Sequence, residues 1–318
     1  MQFENRQPDE GINAQPEHLG REAIWLIVGA IGCLIGLVLL ADVGARWLAP
    51  RLPFSLEQAL AERMEGEPPK LSSQERAANA ALQALADRLR APLGMSDDIS
   101  VQVRVDDSEV LNAYATVGGR IVIHRGLLRR LQGEDELGAL LAHEMAHVQH
   151  RHVAASLGRG LAIGLVLSVV SADAGGQVAG VLLEQTGGLL MRGHGRDHER
   201  EADASAMRAA ASLHGHVGGV IGLFERISSA RGTPQGCDVG EGGHRSDSPE
   251  SPGREVPTWL STHPSDGDRT AAVRAWALDK GVPLRGVSPG MHPALMAWAR
   301  AVPAPCKPVG RPSASGQP

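Results

Sequence analysis

Two histidines and a glutamate lie close together in the segment ELGALLAHEMAHVQHRH, which runs from Glu136 to His152. Because His143 and His147 are four residues apart, a helix places them on one face, with their Cβ atoms about 6 Å apart. Two neutral imidazoles at that spacing can share one zinc ion. Glu144 points about 100° away around the same helix, so its carboxylate can reach a water molecule on the metal. The pattern predicts water activated by zinc, with Glu144 as the group that takes and returns the proton.

A chance occurrence of this motif is the alternative, since the chain contains 13 histidines. The segment before His143, LGALLA, is apolar, and a helix exposed to solvent seldom carries such a run. This context favours the zinc site over a histidine-rich surface helix. The two histidines that follow, His150 and His152, are expected to be solvated residues at the helix end, where positive charge is favoured.

A third metal ligand has to come from another element, because a catalytic zinc ion takes three protein ligands and keeps one position open. The segment RDHEREADASA begins at Arg196 and offers two glutamates. Glu199 and Asp203 share one helix face, whereas Glu201 points elsewhere. With Glu199 as ligand, Asp203 could hydrogen-bond a ligand histidine and fix its tautomer. The alternative is a solvated helix in which Glu199 pairs with Arg196.

Periodicity in the rest of the sequence predicts a mainly helical protein with a few strands. Helices are predicted over Phe54–Met64, Leu71–Leu89, Glu134–His152, Arg196–His214 and Thr270–Leu278. A half-buried strand is predicted over Ile99–Val105, and a hairpin joins Asn112–Ala115 to Arg120–His124 through Gly118 and Gly119. Ser72 or Ser73 is the expected N-cap of the second helix, because both residue types accept hydrogen bonds from the first helical turn.

An uncharged run, AIWLIVGAIGCLIGLVLLA, extends from Ala23 to Ala41 and is long enough to span a bilayer. A cleaved signal peptide is the alternative, but the residues before the run are acid-rich instead of basic. We therefore expect an uncleaved transmembrane anchor over residues 23–42. Two further apolar segments, Leu157–Val170 and Gly180–Met191, are too short for ordinary spans. They suit a helical pair on the core, with a membrane-dipping lid as the alternative.

The composition limits the kinds of partner and of redox chemistry that the sequence supports. A net charge of -5 gives no reason to expect nucleic acid as a partner. The three cysteines form no CxxC pair, which excludes a cysteine-ligated zinc or redox motif. Cys237 and Cys306 could still form a disulfide in an oxidising compartment.

These patterns divide the chain into seven segments. They are a disordered tail (1–22), the anchor (23–42), a juxtamembrane helix and linker (43–70), a catalytic domain with the zinc site (71–230), a disordered insertion (231–257), the C-terminal part of the catalytic domain (258–302) and a second disordered tail (303–318).

Four segments occur in a fixed order: NAYATVGGRIVIHRGLL, EDELGALLAHEMAHVQHRH, GRDHEREADASAM and STHPSDGDR. Together they resemble the HtpX and CaaX-prenyl-protease family of gluzincin metallopeptidases, which has periplasmic members and mitochondrial Oma-type members. The resemblance covers about two-thirds of the chain. It implies an α+β, mainly α, gluzincin catalytic domain with a small β-sheet, preceded by one N-terminal transmembrane helix.

The resemblance also implies a role for particular residues. The metal ligands would be His143, His147 and Glu199, holding one Zn2+ per chain, and the catalytic residues would be Glu144 and His263. Asp203 and Arg196 would lie next to the ligands, and Arg269 fits the basic residue after the THP motif. An extended substrate would bind along Asn112, Ala113, Tyr114 and Ala115 by adding a strand to the sheet.

Three departures from the family pattern leave the ligands untouched. Gly195 replaces a common serine, Thr116-Val117 replaces a common Leu-Pro, and the insertion separates the glutamate helix from the THP motif. The insertion bears on how His263 reaches the site. His263 could stabilise an oxyanion, occupy the fourth zinc position in a latent form, or cap a turn before Pro264.

The expected function is therefore that of a membrane-anchored zinc metalloendopeptidase acting on unfolded or misfolded envelope proteins. Its partners would be a protein or peptide substrate and the lipid bilayer, with a homo-oligomer left open. The anchor and the periplasmic members place it in the inner membrane as a single-pass protein with a periplasmic catalytic domain. Two alternatives are a latent zinc protein that acts as a chaperone-like peptide-binding module and a structural membrane protein whose HExxH has no role.

Overall fold

Helices dominate the part of the chain that the computed structural model describes, namely residues 19–64, 70–170, 195–229 and 268–301 with Trp259 and His263. The helices are α1 (Leu19–Leu48), α2 (Phe54–Met64), α3 (Ser73–Leu93), α4 (Arg125–Leu128), α5 (Glu134–Gln149), α6 (His152–Val170), α7 (Arg196–His214), α8 (Gly218–Ser229), α9 (Arg269–Lys280) and α10 (Pro293–Arg300). The strands are β1 (Gln102–Asp106), β2 (Ala113–Thr116) and β3 (Arg120–His124). The prediction of a mainly helical chain with a small sheet is confirmed.

Helix α5 lies at the centre of the fold. Every residue from Asp135 to Val148 is buried, as the apolar run before His143 predicts. Helices α3, α7 and α8 pack around it, and strand β2 also contacts it. Acidic residues occupy its first turn, where their negative charge interacts favourably with the helix dipole. Because α5 is buried, its polar side chains lie inside the protein and must find hydrogen-bond partners there.

Helix α3 fixes one edge of the sheet. Ser72 caps it, and Glu75 reaches back to the backbone of Ser72 in a capping box. Further along, Asn79 accepts a hydrogen bond from the backbone N–H of Val105 at 2.8 Å. Gln83 accepts from the N–H of Val103 and donates to the carbonyl of Val101, both at 3.1 Å. These two side chains satisfy the outer edge of β1, so that edge is closed to another strand.

The sheet has the strand order β1-β3-β2. Strand β3 pairs in parallel with β1 and antiparallel with β2, which confirms the predicted hairpin. Gly118 and Gly119 both have positive φ in its turn, and a Cβ on Gly119 would lie 2.0 Å from the carbonyl oxygen of Ser100. The turn therefore excludes larger residues, and β2 remains as the second edge of the described sheet.

The chain bends sharply between α5 and α6, which corrects the prediction of one helix to His152. Helix α5 ends at Gln149, and Arg151 adopts φ 60°, a left-handed conformation that is unusual for a residue other than glycine. Helix α6 then begins at His152. The bend turns His152 back beneath α5, instead of leaving it at an exposed helix end.

Other elements extend or add to the predicted ones. Helix α9 is longer than the predicted Thr270–Leu278, and α8 and α10 were not predicted. Within the described residues, α1 is the one helix long and apolar enough to cross a bilayer, over Gly20–Leu37, by length and composition alone. It packs against α6. The predicted insertion at 231–257, the tail at 303–318 and the segment Gly180–Met191 lie outside the described residues.

Candidate metal centre

The two motif histidines and one glutamate meet in the protein interior. Helix α5 presents His143 and His147, and α7 packs against it so that Glu199 faces both. The Nε2 atoms of the two histidines are 3.1 Å apart. Glu199 lies 3.4 Å from Nε2 of His143 and 3.5 Å from Nε2 of His147. All three side chains are at most 1% exposed.

His263 joins this group from a different part of the chain. Its backbone N–H donates to the carbonyl of Trp259 at 2.8 Å, which links the two residues directly. Its Nδ1 lies 3.3 Å from Nε2 of His143 and 3.1 Å from Oε1 of Glu199. The insertion before it therefore does not keep His263 from the site.

The donor atoms suit a metal ion. One nitrogen or oxygen from each of His143, His147, Glu199 and His263 lies within 4.8 Å of all the others. Five of the six residue pairs are separated by 3.1 to 3.5 Å, measured to one or the other oxygen of Glu199. Four ligands in a tetrahedron about 2.0–2.1 Å from zinc lie about 3.3 Å from one another. The residues present therefore fit a small cation of about that size.

Asp203 holds the far side of the His143 ring. Its Oδ1 lies 3.0 Å from Nδ1 of His143, and the guanidinium of Arg269 donates to both carboxylate oxygens, with Nε at 2.7 Å from Oδ2. Burial works to raise the pKa of Asp203, but the contacts with His143 and Arg269 lower it overall. The aspartate thus stays ionised and fixes the ring with Nε2 turned toward the other donors.

In the metal-free site, the pKa values of His143 and Glu199 are strongly shifted. Burial works to lower the pKa of His143, yet hydrogen bonds to Asp203 and Glu199 outweigh it and raise the pKa to about 9. Burial likewise works to raise the pKa of Glu199, but His263 and His143 hold it well below the usual carboxyl range. The site therefore keeps its carboxylates ionised and attracts positive charge, first a proton and, in competition with it, a metal cation.

Glu144 lies beside the donors without being one of them. It is fully buried, and Nε1 of Trp259 donates to its Oε1 at 3.3 Å. Nε2 of His263 is 3.6 Å from the same oxygen. Its second oxygen, Oε2, has no hydrogen-bond partner among the described residues. A buried carboxylate oxygen left in this way is costly.

His152 occupies the far side of the His147 ring, which corrects the prediction that it is solvated. Its Nδ1 lies 3.0 Å from Nδ1 of His147, and only 2% of the residue is exposed. His150 is half-buried and contacts Glu201 and Ser205. The bend after α5 places both rings between α5 and α7, where neither ends a solvated helix.

The remaining predicted residues are distributed around this centre. Asn112, Ala113 and Ala115 are buried and Tyr114 is half-buried in and next to β2. Arg196 lies exposed at the first residue of α7. Arg269, the first residue of α9, is an arginine that contacts Asp203.

Two residues of the site were not predicted, Trp259 and His152. Trp259 stacks on His263, with ring centroids 4.6 Å apart, and donates to Glu144. A possible signal was the four-residue spacing of Trp259 and His263 in WLSTH. No such signal marks His152, because its position depends on the bend at Arg151.

Known metallopeptidases are similar to this chain in sequence. The model of peptidase family M48 matches residues 76–277. The mitochondrial metalloendopeptidase OMA1 of Schizosaccharomyces pombe is 29% identical over 191 residues, which are 59% of this chain and 50% of that protein. The beta-barrel assembly-enhancing protease of Yersinia pestis is 32% identical over 108 residues, 30% of this chain and 22% of that protein. The metalloprotease YcaL of Escherichia coli is 28% identical over 137 residues, 42% of this chain and 53% of that protein.

The chain spans between about a fifth and about half of the length of these relatives. The family model, in contrast, covers more than half of the chain and includes α5, α7 and most of α9. It takes in His143, His147 and Glu199 as well as the residues that contact them. The chain belongs to peptidase family M48.

Proposed function

We propose that this chain is a zinc-dependent metalloendopeptidase. Membership of family M48 supports metalloprotease activity. The observation that carries the proposal is the buried group of four donor residues with Glu144 beside it. A second buried group of this kind that could hold a metal ion is not found among the described residues.

Zinc would be held by Nε2 of His143, Nε2 of His147 and the carboxylate of Glu199. Asp203 and Arg269 would keep the His143 ring in the tautomer that binds through Nε2. Bound zinc would act as a Lewis acid that polarises a peptide carbonyl and lowers the pKa of water toward about 7. The protein supplies the placement of the groups around that chemistry.

Glu144 would act as the general base and then as the general acid. Trp259 fixes Oε1 by donating to it at 3.3 Å, which leaves Oε2 to accept a proton from the attacking water. The same oxygen could then return the proton to the leaving amine. Because Glu144 is fully buried, the proton passes between groups within the site and does not have to cross bulk water.

His263 would act at the fourth position. Its Nδ1 lies among the donor atoms, and its ring is 1% exposed, which fits poorly with a cap on a solvent-facing turn. In the arrangement described here it would serve as a fourth ligand. Its other ring nitrogen, Nε2, lies 3.6 Å from Oε1 of Glu144, and a ring withdrawn from the fourth position could stabilise the oxyanion.

Strand β2 would bind the substrate. Since the N–H of His124 donates to the carbonyl of Asn112, the alternation of an antiparallel pair turns the backbone groups of Ala113 and Ala115 outward. Asn79 and Gln83 close the other edge of the sheet at β1. An extended peptide could therefore add as a strand beside β2, next to α5 and the donor group.

The position of His263 supports a second candidate function. A ligand at the fourth position would exclude the reacting water, so the chain could be a latent zinc protein that binds peptides in the manner of a chaperone. Binding of an unfolded protein without any cleavage by the zinc-loaded chain would favour this candidate. Cleavage that is lost in Glu144→Gln would favour the enzyme.

The location and substrate class are part of the proposal. Helix α1 would anchor the chain as a single span of the inner membrane, with the catalytic part in the periplasm. Substrates would then be unfolded or misfolded envelope proteins near the bilayer. A reporter fused to the C-terminus tests this topology, and a cytoplasmic reporter signal would contradict it.

Metal analysis of the full chain in mild detergent tests the zinc site. We expect about one zinc per chain in the wild type, much less in Glu199→Ala, and full zinc in Glu144→Gln. Glu225→Ala is the matched control, because Glu225 is exposed and pairs only with Arg274 among the contacts described for it. Equal zinc in the wild type and in Glu199→Ala would make His263 the third ligand. A folded wild-type chain that binds no zinc would overturn the proposal.

A further inference from the structure

The metal-facing histidine His147 is connected to the protein surface by two hydrogen bonds in series. Its Nδ1 lies 3.0 Å from Nδ1 of His152. On the other side of that ring, Nε2 of His152 lies 3.1 Å from Oε2 of Glu201. His152 is buried, whereas the side chain of Glu201 is 52% exposed. The series therefore begins at the donor group and ends in solvent.

One assignment of protons along this series is consistent with metal binding by His147. If His147 binds a metal through Nε2, its proton is on Nδ1 and can be donated to His152. His152 then accepts on Nδ1 and carries its own proton on Nε2, which it donates to Glu201. Each of the three groups has one consistent role, and the series selects the tautomer of His147 that exposes Nε2.

The two ligand histidines are thus oriented by different means. His143 contacts the carboxylate of Asp203 directly, at 3.0 Å. His147 reaches a carboxylate only through the ring of His152. The second arrangement depends on two further side chains, since His198 stacks on His152 with ring centroids 4.0 Å apart and His150 contacts the same carboxylate at 3.2 Å.

We propose that His152 and Glu201 are positioning residues that orient His147 for metal binding. This inference depends on the proposed zinc site. It gives Glu201 a role different from that of a ligand: it acts through His152 and does not approach the metal. It also explains why a buried histidine follows the bend at Arg151.

A cavity at the outer end of the series makes the proposal testable by chemical rescue. It has a volume of about 420 Å³ and is lined by His150, His152, His198 and Glu201 among others. In a His152→Ala variant, the space left by the ring would be continuous with this cavity. Free imidazole could enter it, stack on His198, accept from His147 and donate to Glu201.

The first measurement is the zinc affinity of the full-length chain, determined by competition with a chromogenic chelator. We expect His152→Ala and Glu201→Ala to bind zinc about 10- to 100-fold more weakly than the wild type. Glu201→Gln should lose little, because its amide oxygen still accepts from His152. Glu225→Ala, the matched exposed control, should be unchanged. Because Glu201 is exposed, its variants test the proposal even where His152→Ala folds poorly.

The second measurement adds imidazole at one concentration to every variant and compares each zinc affinity with that of the wild type. Imidazole should recover most of the affinity lost in His152→Ala and none of that lost in Glu201→Ala. 1-Methylimidazole should recover less, since it has no N–H to donate to Glu201. A role of His152 in packing alone would give equal recovery with both compounds, or none with either, and would overturn the proposal.

The failure of this inference is distinguishable from failure of the proposed function. A wild-type chain that binds one zinc, beside His152→Ala and Glu201→Ala variants with the same affinity, would reject the positioning role and leave the metalloprotease proposal intact. A folded wild-type chain that binds no zinc would reject both.

Discussion

The carboxylate of Glu57 on α2 lies 2.7 Å from Nε of Arg151, the residue at the bend after α5. Arg151 also donates to the carbonyl of Leu52 at 3.0 Å, and its guanidinium lies over the ring of Phe54. Both ends of the ion pair are nearly buried, with 12% and 6% of the side chains exposed. The segment between α1 and α3 is therefore fixed to the residue that directs His152 beneath α5.

Breaking this ion pair should destabilise the protein strongly. We expect Arg151→Ala to lower the free energy of unfolding by about 3–5 kcal/mol, because it leaves the buried carboxylate of Glu57 without its partner. Urea unfolding of the full chain in detergent, without added metal, measures the change. Arg274→Ala breaks the exposed pair with Glu225 and should cost at most about 1 kcal/mol. Equal losses in the two variants would contradict the assignment.

The titration of His143 predicts how zinc affinity depends on pH. Its pKa in the metal-free chain is about 9, so below that value a proton occupies the site and must leave when zinc binds. We expect zinc affinity to rise about tenfold per pH unit from about pH 6.5 to about pH 9 and then to level off. Calorimetry in buffers of different ionisation enthalpy should detect about one proton released near neutral pH. A pH-independent affinity over this range would contradict the assignment.

The same shifts set the pH range in which the metal-free chain is most stable. The pKa of His143 is raised, so its contribution is full below the ordinary histidine value of about 6.5 and is lost as the pH rises through about 9. The pKa values of Glu199 and Asp203 are lowered, so their contributions are present above their ordinary values and are lost on acidification. We expect maximal stability between about pH 5 and 6.5.

Thermal unfolding with chelator and with zinc checks this pH range. Adding zinc should remove the decline toward pH 9, because the metal replaces the proton on His143. The Asp203→Asn variant should weaken the dependence in the metal-free chain, since it removes one of the two carboxylates that raise the pKa of His143. A metal-free chain that becomes more stable between pH 7 and pH 9 would reverse the predicted sign.

Removal of Asp203 should affect metal binding itself. We expect Asp203→Ala to weaken zinc binding about 10- to 100-fold, because the ring of His143 is then no longer held by a carboxylate. Arg269→Lys should weaken it less, since Asp203 still contacts His143 although the two-point contact with the guanidinium is lost. The chelator competition used for His152 measures both. A larger effect in Arg269→Lys than in Asp203→Ala would contradict this order.

The sequence predicts those parts of the site in which both members of a pair lie on one helix. His143 and His147 share a face of α5, and Glu199 and Asp203 share a face of α7, because helical geometry fixes neighbours four residues apart. That α5 is buried follows from the apolar run before His143. The glycine turn is equally local, and it fixes the hairpin.

Contacts between distant elements could not be predicted in this way. The approach of Arg269 to Asp203 spans 66 residues, and the parallel pairing of β1 with β3 depends on tertiary packing. No glycine or proline marks the bend at Arg151 in the sequence. Instead, Glu57 from another helix pairs with the arginine there, and the sequence pattern does not show that contact. For that reason the helix was predicted to continue to His152.

The two hydrogen-bonding edges of strand β2 differ, because only one of them pairs with β3. The N–H of Ala115 points outward, whereas that of Tyr114 lies on the side of β3. Ala115→Pro should therefore preserve the fold and lower kcat/KM about five- to tenfold toward an unfolded protein such as casein, by removing one backbone donor from the substrate-binding edge. Tyr114→Pro removes a ladder hydrogen bond and should instead lower the thermal stability. If Ala115→Pro keeps both its fold and its full kcat/KM, the substrate does not bind by adding a strand to β2.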